Sequence, residues 1–207
     1  RPPRSTRKES SAASDVYKRQ IMSISLYKPN SKNAGCAFNF KIGVNRNKEP
    51  VVYVSAIQQY SWDDKRKTGN FSGNKDDPDK NINLKFSEFE IGGIISSLRK
   101  RYEYSAFHSY EDNKTSIKFV PWDKESKTQN GTVTLPAFGI TFTRNGNQSF
   151  RIPLEPGEVE NLDQFLKFYL KELYSHRRRE EIKNIQKYKK DQQEETSNTK
   201  GADEAPF

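Results

Sequence analysis

The sequence predicts an α+β fold: a duplicated β-β-β-β-α unit whose two antiparallel sheets pack with two helices, followed by a disordered C-terminal tail. Three observations carry this. Short runs rich in Val, Ile, Phe, Tyr and Thr alternate apolar with polar residues, the period of a half-buried strand. Each set of runs is followed by one stretch with apolar residues at helical spacing. The closing segments of the two sets, INLKFSEFEIGGIISSL and FRIPLEPGEVENLDQFL, lie about 70 residues apart and share one order of strand, turn, acidic first turn and amphipathic helix.

The first set begins with residues 24–27 and 36–44, where Phe38, Phe40 and Ile42 face one way and Asn39 and Lys41 the other. A turn at 45–50 leads into a strand over 51–62, and residues 63–80, with Gly69, Gly73 and Pro78, read as a long, mobile loop. A short strand at 82–84 precedes Ser87, which with Glu90 forms a capping box for a helix with Ile91, Ile94, Ile95 and Leu98 on one stripe. In the second set, residues 104–109, 115–122, 132–144 and 149–154 are strands, with tight turns at Asp112-Asn113 and Asn145-Gly146. After Pro156-Gly157 a helix buries Val159, Leu162, Leu166, Tyr169, Leu170 and Leu173. Four strands cannot bury one face alone, so each sheet needs its helix and the two units form one domain.

The expected organisation is a non-native leader at 1–21, a domain at 22–178 with halves near 22–101 and 102–178, and a helix extension with a disordered acidic tail at 179–207. The leader, RPPRSTRKESSAASDVYKRQ, has no apolar period and is similar to translated sequencing-adaptor read-through; Met22 is the only methionine and is taken as the native start. The chain carries +9 overall, and its charge is uneven. The leader holds six Lys/Arg against two Asp/Glu, and residues 191–207 hold one Lys against five Asp/Glu, so the basic excess belongs to the body. A basic body with an acidic end implies a polyanionic partner for the body and a tail able to compete for the same surface.

Other classes find little support. One cysteine, Cys36, excludes an internal disulfide and suits a reducing cytoplasm, and His108 and His176 are too far apart in sequence to make a metal motif. Asp76, Asp77 and Asp79 are interrupted by Pro78 and lack the calcium-loop spacing. No phosphate-binding loop, dinucleotide fingerprint or nucleophile elbow is present, so no enzyme, cofactor or metal is expected. No apolar run reaches the length of a membrane-spanning helix, so no membrane partner is expected.

Single strands of nucleic acid are held by cations along the phosphates and by aromatic faces on which bases stack. The chain interleaves both. The candidate binding residues are Lys41, then Tyr60, Trp62, Lys65, Arg66 and Lys67, then Tyr104 and His108, then Lys118, Trp122 and Arg144. Alternation places Lys41, Lys118, Trp122, Thr141 and Thr143 on outward faces if Ile117 and Phe119 face the helices, and assigns Phe38, Phe40, Phe138, Ile140 and Phe142 to the core. His108 also reads as a hydrogen-bonder within the sheet, and the Arg99-Lys100-Arg101 and Arg177-Arg178-Arg179 runs as compensation of helix dipoles.

This order of elements, with the runs YSAFHS at 104–109 and TSIKFVPW at 115–122, resembles the Whirly and positive-cofactor type of single-stranded-nucleic-acid-binding fold, in its phage and archaeal members, over residues 23–176. The chain's end, Asp203, Glu204, Ala205, Pro206 and Phe207, resembles the acidic Pro-Phe tip with which bacterial single-stranded-DNA-binding proteins engage replication and repair enzymes. Together the resemblances imply a protein that coats single-stranded DNA, with RNA as the alternative strand, in phage replication, recombination or repair, that forms homo-oligomers, and that recruits partner enzymes through Asp203, Glu204, Pro206 and Phe207. A transcription or RNA-binding factor of the same fold is the second reading, and a basic structural or virion scaffold protein the third.

Overall fold

The computed structural model describes residues 22–129 and 131–200, with side chains as far as residue 193. The leader expected at 1–21 and the tip residues Asp203, Glu204, Pro206 and Phe207 lie outside the described residues. The elements run β1 (Ser23–Lys28), β2 (Cys36–Val44), β3 (Pro50–Gln58), β4 (Ser61–Asp63), β5 (Thr68–Asn70), a 3-10 turn (Ser72–Asn74), β6 (Asn81–Phe86), α1 (Glu88–Lys100), β7 (Tyr104–Tyr110), β8 (Asn113–Thr128), β9 (Gly131–Arg144), β10 (Gln148–Leu154) and α2 (Pro156–Lys200). Two four-stranded antiparallel sheets, ordered β1-β2-β3-β6 and β10-β9-β8-β7, are each followed by a helix, and β4-β5 is a separate hairpin. The duplicated unit expected from the sequence is therefore the architecture.

The strand period explains the core. Phe38, Phe40, Val52, Val54, Ile82 and Phe86 from the first sheet, and Ile117, Phe119, Ile140, Phe142, Phe150 and Ile152 from the second, all turn inward and are buried. The inner faces meet one another: the Phe142 ring lies 4.9 Å from that of Phe38 and 6.2 Å from that of Phe86, both edge-on. Ile91, Ile94 and Leu98 of α1 and Leu162, Leu166, Tyr169 and Leu173 of α2 close the same cluster. Each such side chain contributes about 1.5–3 kcal/mol on burial, so the halves share one core rather than owning two.

Local signals set the ends of the elements. The Glu90 N–H donates to Ser87 Oγ at 3.2 Å and the Ser87 N–H donates to Glu90 Oε2 at 2.8 Å, the expected capping box, while Arg101 ends α1 at φ 56°. The β9–β10 turn places Asn145 and Gly146 at φ 51° and 74°, a conformation these residue types tolerate.

Three expectations are corrected. The strand read over 51–62 breaks after Gln58, because Gln59 turns its buried amide into the fold: its Oε1 accepts from the Asn30 N–H at 2.8 Å and its Nε2 donates to the Asn30 carbonyl at 2.9 Å. The segment 63–80 is not a bare loop. It folds as the β4-β5 hairpin and the 3-10 turn, and Asn81 Nδ2 ties its end by donating to the carbonyls of Lys75 at 2.7 Å and Asp77 at 2.8 Å. Finally, α2 runs 45 residues to Lys200, so residues 191–200, expected to be disordered, are helical. Glu, Lys, Gln and Arg stand near the top of the helix-propensity scale, and the pair of Lys183 with Glu180 at 2.7 Å adds local support. Arg177 fastens α2 to the domain through Glu88 at 2.6 Å and Glu49 at 3.3 Å.

Candidate nucleic-acid interface

With both inner faces committed to the core, the outer faces of the two sheets remain as open surfaces. On the first sheet, Lys41 pairs across to Tyr53 and Tyr53 to Lys85, making one outward row that reads cation, aromatic, cation. The Tyr53 ring lies over Gly43, where an added Cβ would meet it at 3.0 Å, so the absence of a side chain at 43 lets the ring lie against the sheet. Lys41 and Lys85 have no ion-pair partner among the described residues. On the second sheet, the matching row runs Ser105, Lys118, Thr141 and Arg151. Here Lys118 is engaged by Glu103 at 3.1 Å, so its charge is partly offset. Trp122 is also outward, 39% exposed, opposite Ala137 where the β8-β9 ribbon leaves the sheet. Among the described residues, no Asp or Glu occupies an outward position in the eight strands of these sheets.

The hairpin brings together Tyr60, Trp62, Lys65, Arg66 and Lys67, as the sequence grouped them, but with neutralising company. Asp63 Oδ1 accepts from the N–H groups of Lys65 and Arg66 at 2.9 and 3.0 Å, and its carboxylate lies 3.9 Å from the Arg66 guanidinium. Asp64 sits 3.8 Å from Lys67 Nζ and accepts from Trp62 Nε1 at 3.1 Å. The Tyr60 ring packs over Gly73. The cation run is thus also a turn built around two carboxylates, and Trp62 is partly spent in holding it.

Three candidates lie on the inner alternation, not on an outer face. Tyr104 packs against Gly93 of α1, with its ring 6.4 Å from that of Phe119, and burial, with Glu90 and Tyr102 adding to it, pushes its hydroxyl pKa up. His108 Nε2 meets Glu90 Oε1 at 2.5 Å and its ring faces Phe86 edge-on at 5.8 Å. Burial pushes the Glu90 carboxyl up, but the Ser87 N–H, His108 and the Ser87 hydroxyl outweigh it and hold the group below the usual carboxylate range. Arg144 joins the two halves, its Nη1 donating to the carbonyls of Pro78 at 2.9 Å and Asn81 at 3.3 Å. Residue type alone points to these three positions, whereas the strand alternation that turns Lys118 outward turns them inward.

Tyr53, Lys85 and Arg151 are outward residues the sequence reading did not select. The signal was available for Tyr53 between inward Val52 and Val54. For Lys85 it was lost because the strand was read as ending at residue 84, one position short.

Among the described residues no group of three or more His, Cys, Asp and Glu could hold a metal ion, and no helix is long and apolar enough to cross a membrane. Burial pushes the Cys36 thiol pKa up, opposed by a backbone hydrogen bond at Arg151.

The fold and surface define a two-sheet α+β domain that turns cation-bearing sheet faces to solvent, with no Asp or Glu at an outward strand position among the described residues. The chain is similar in structure to WHY1 from Arabidopsis thaliana, at a TM-score of 0.52 and 17% identity, over 81% of this chain and 93% of that one. Two further solved structures show weaker likeness: WHY3 from Arabidopsis thaliana, at 0.48 and 16% over 75% of this chain and 90% of that one, and the plant transcriptional regulator PBF-2, at 0.49 and 15% over 77% and 85%. The Whirly-type fold expected from the sequence is thus the one found in WHY1. The sequence matches no protein-family model and no curated protein.

Proposed function

We propose that this protein binds single-stranded nucleic acid along the outer faces of its sheets, DNA in the first instance, without catalysing a reaction. The observation that carries the reading is the set of outward rows: Lys41, Tyr53 and Lys85 on one face, Lys118, Arg151 and Trp122 on the other, with no carboxylate at an outward strand position. Cations spaced along a flat face suit phosphates, and aromatic rings among them suit bases that no complementary strand has stacked away. The duplex has no exposed base faces to offer, so single strands are preferred.

A role in phage replication, recombination or repair, homo-oligomer formation and recruitment of replication or repair enzymes through Asp203, Glu204, Pro206 and Phe207 extend the proposal, and rest on the resemblances in the sequence. The acidic tip carries one Phe for apolar burial and carboxylates for Lys or Arg pairing, the chemistry of a short docking peptide.

A titration of Trp fluorescence with oligo-dT, oligo-U and duplex DNA at several salt concentrations tests the reading. Quenching by oligo-dT with affinity falling steeply as salt rises, and much weaker binding of duplex, is expected. Equal affinity for duplex, or a flat salt response, refutes it; tighter binding of oligo-U moves the substrate from DNA to RNA.

A further inference from the structure

The two outer faces turn away from a common core, so a strand that uses both must pass around a sheet edge. One such passage is already shaped as a groove. β6 and β7 are the edge strands of their sheets, each with one side of its hydrogen-bonding ladder unpaired, and they flank a cleft of about 520 Å³. This size falls in the roughly 300–1,000 Å³ range of clefts that enclose small ring compounds.

Lys85 stands on the β6 wall as the last member of the Lys41–Tyr53 row, and Phe107 on the β7 wall is an outward residue paired across to Ser116. Phe107 and Tyr110, 63% and 74% exposed, put two aromatic rings beside the opening. Large exposed aromatic rings cost solvation free energy that a stacked base would recover. Leu84 and Arg144 line the cleft, and Arg144 Nε is a buried donor with no acceptor. Among the described residues, no carboxylate lines it.

The ends of the cleft bear on what can occupy it. Phe86 and His108 meet across one end at 5.8 Å, and Arg144 bonds across to the Asn81 carbonyl at the other. An extended peptide adding to either edge needs a through-path of several residues, which these contacts obstruct. A flat ring entering from the side does not need one. Its edge would meet unpaired backbone donors and acceptors from both walls.

We propose that the β6-β7 groove receives unstacked nucleobases from a single strand crossing between the two sheet faces, with Phe107 and Tyr110 stacking on them and Lys85 holding the adjacent phosphate. This rests on the proposed function and specifies where bases, as opposed to phosphates, are bound.

The test compares (dT)20 with an abasic strand of the same length and charge, on the full chain. Wild type should bind (dT)20 more tightly, and Phe107→Ala should cut that preference about 5–30-fold, the scale of one lost stack, while binding the abasic strand as wild type does. Phe107→Leu keeps apolar bulk without the ring and should lose nearly as much, and Phe107 is exposed enough that both variants should keep the wild-type melting temperature. Hydrogen exchange should slow at β6 and β7 amides when (dT)20 binds. An unchanged preference in both variants overturns the groove while leaving the sheet faces as the binding surface, whereas wild-type protein that binds neither strand refutes the function itself. Protection of β6 and β7 by a strand-forming peptide but not by (dT)20 would make the cleft a protein-docking edge and also overturn the proposal.

Discussion

The two halves are one unit written twice, yet they have been lengthened in different places. The first half inserts the β4-β5 hairpin between its third and fourth ladder strands; the second extends β8 and β9 into a ribbon that runs beyond both neighbours, from Trp122 opposite Ala137 to Thr128 opposite Gly131. Both additions leave the inward positions untouched. The alternation that feeds the common core tolerates no slip, because a shift of one residue exchanges buried for exposed side chains throughout a strand. Connections and strand ends can grow because they carry few of those contacts. The outer faces differ too: Lys41 and Lys85 on the first have no ion-pair partner among the described residues, whereas Lys118 on the second is tied to Glu103.

The strongest way to break the comparison is to strike the core at the point where the halves meet. Phe142→Ala removes the ring that touches Phe38 and Phe86, and should cost about 3–5 kcal/mol in a single cooperative urea transition. Two transitions, one at the wild-type midpoint, would show that the halves fold independently.

Gln59→Ala strikes only the first half. It removes the amide that binds the Asn30 backbone and the Ser61 carbonyl, leaves buried groups unpaired, and should cost about 1–3 kcal/mol with local exchange faster in the hairpin. A uniform rise in exchange across the second sheet would contradict that localisation.

The difference between the outer faces can be sharpened with salt. If both Lys41 and Lys85 touch phosphate, Lys41→Ala and Lys85→Ala should each lower the slope of log affinity against log salt by about 0.7. Lys118→Ala should lower it less, since Glu103 already neutralises part of its charge. Equal slopes for all three would assign the two faces the same electrostatic role.

Acid should act on the contact between α1 and β7. Glu90 titrates below its ordinary value of 4.5 in the folded protein, so its contribution is present above that pH and is lost as pH falls through the lowered value. Wild type should lose stability between neutral pH and pH values below about 4.5, and Glu90→Gln should begin less stable and lose less over the same range, as read by thermal melting. Glu49, lowered by the Asn45 side chain and then by Arg177, and Glu155, lowered by Lys124, act in the same direction, which limits how far one substitution can flatten the curve.

Much of this was legible in the linear chain. The order of strands and helices, the capping box at Ser87 and the burial of Phe38, Phe40, Phe138, Ile140 and Phe142 follow from period, cap chemistry and polarity, all properties of residues within a few positions of each other. Alternation also sufficed to turn Lys41, Lys118 and Trp122 outward. The contacts of Asp63 and Asp64 with the cation run at 65–67 are local, and they follow from the hairpin turn rather than from strand alternation. Nor could alternation reveal that Arg144 is held by the carbonyls of Pro78 and Asn81 or that His108 meets Glu90, since those partners are set by how distant segments pack. The same holds for the β6-β7 groove. Each edge strand is visible in the sequence, but only the packing of the two inner faces on one core brings the two edges side by side.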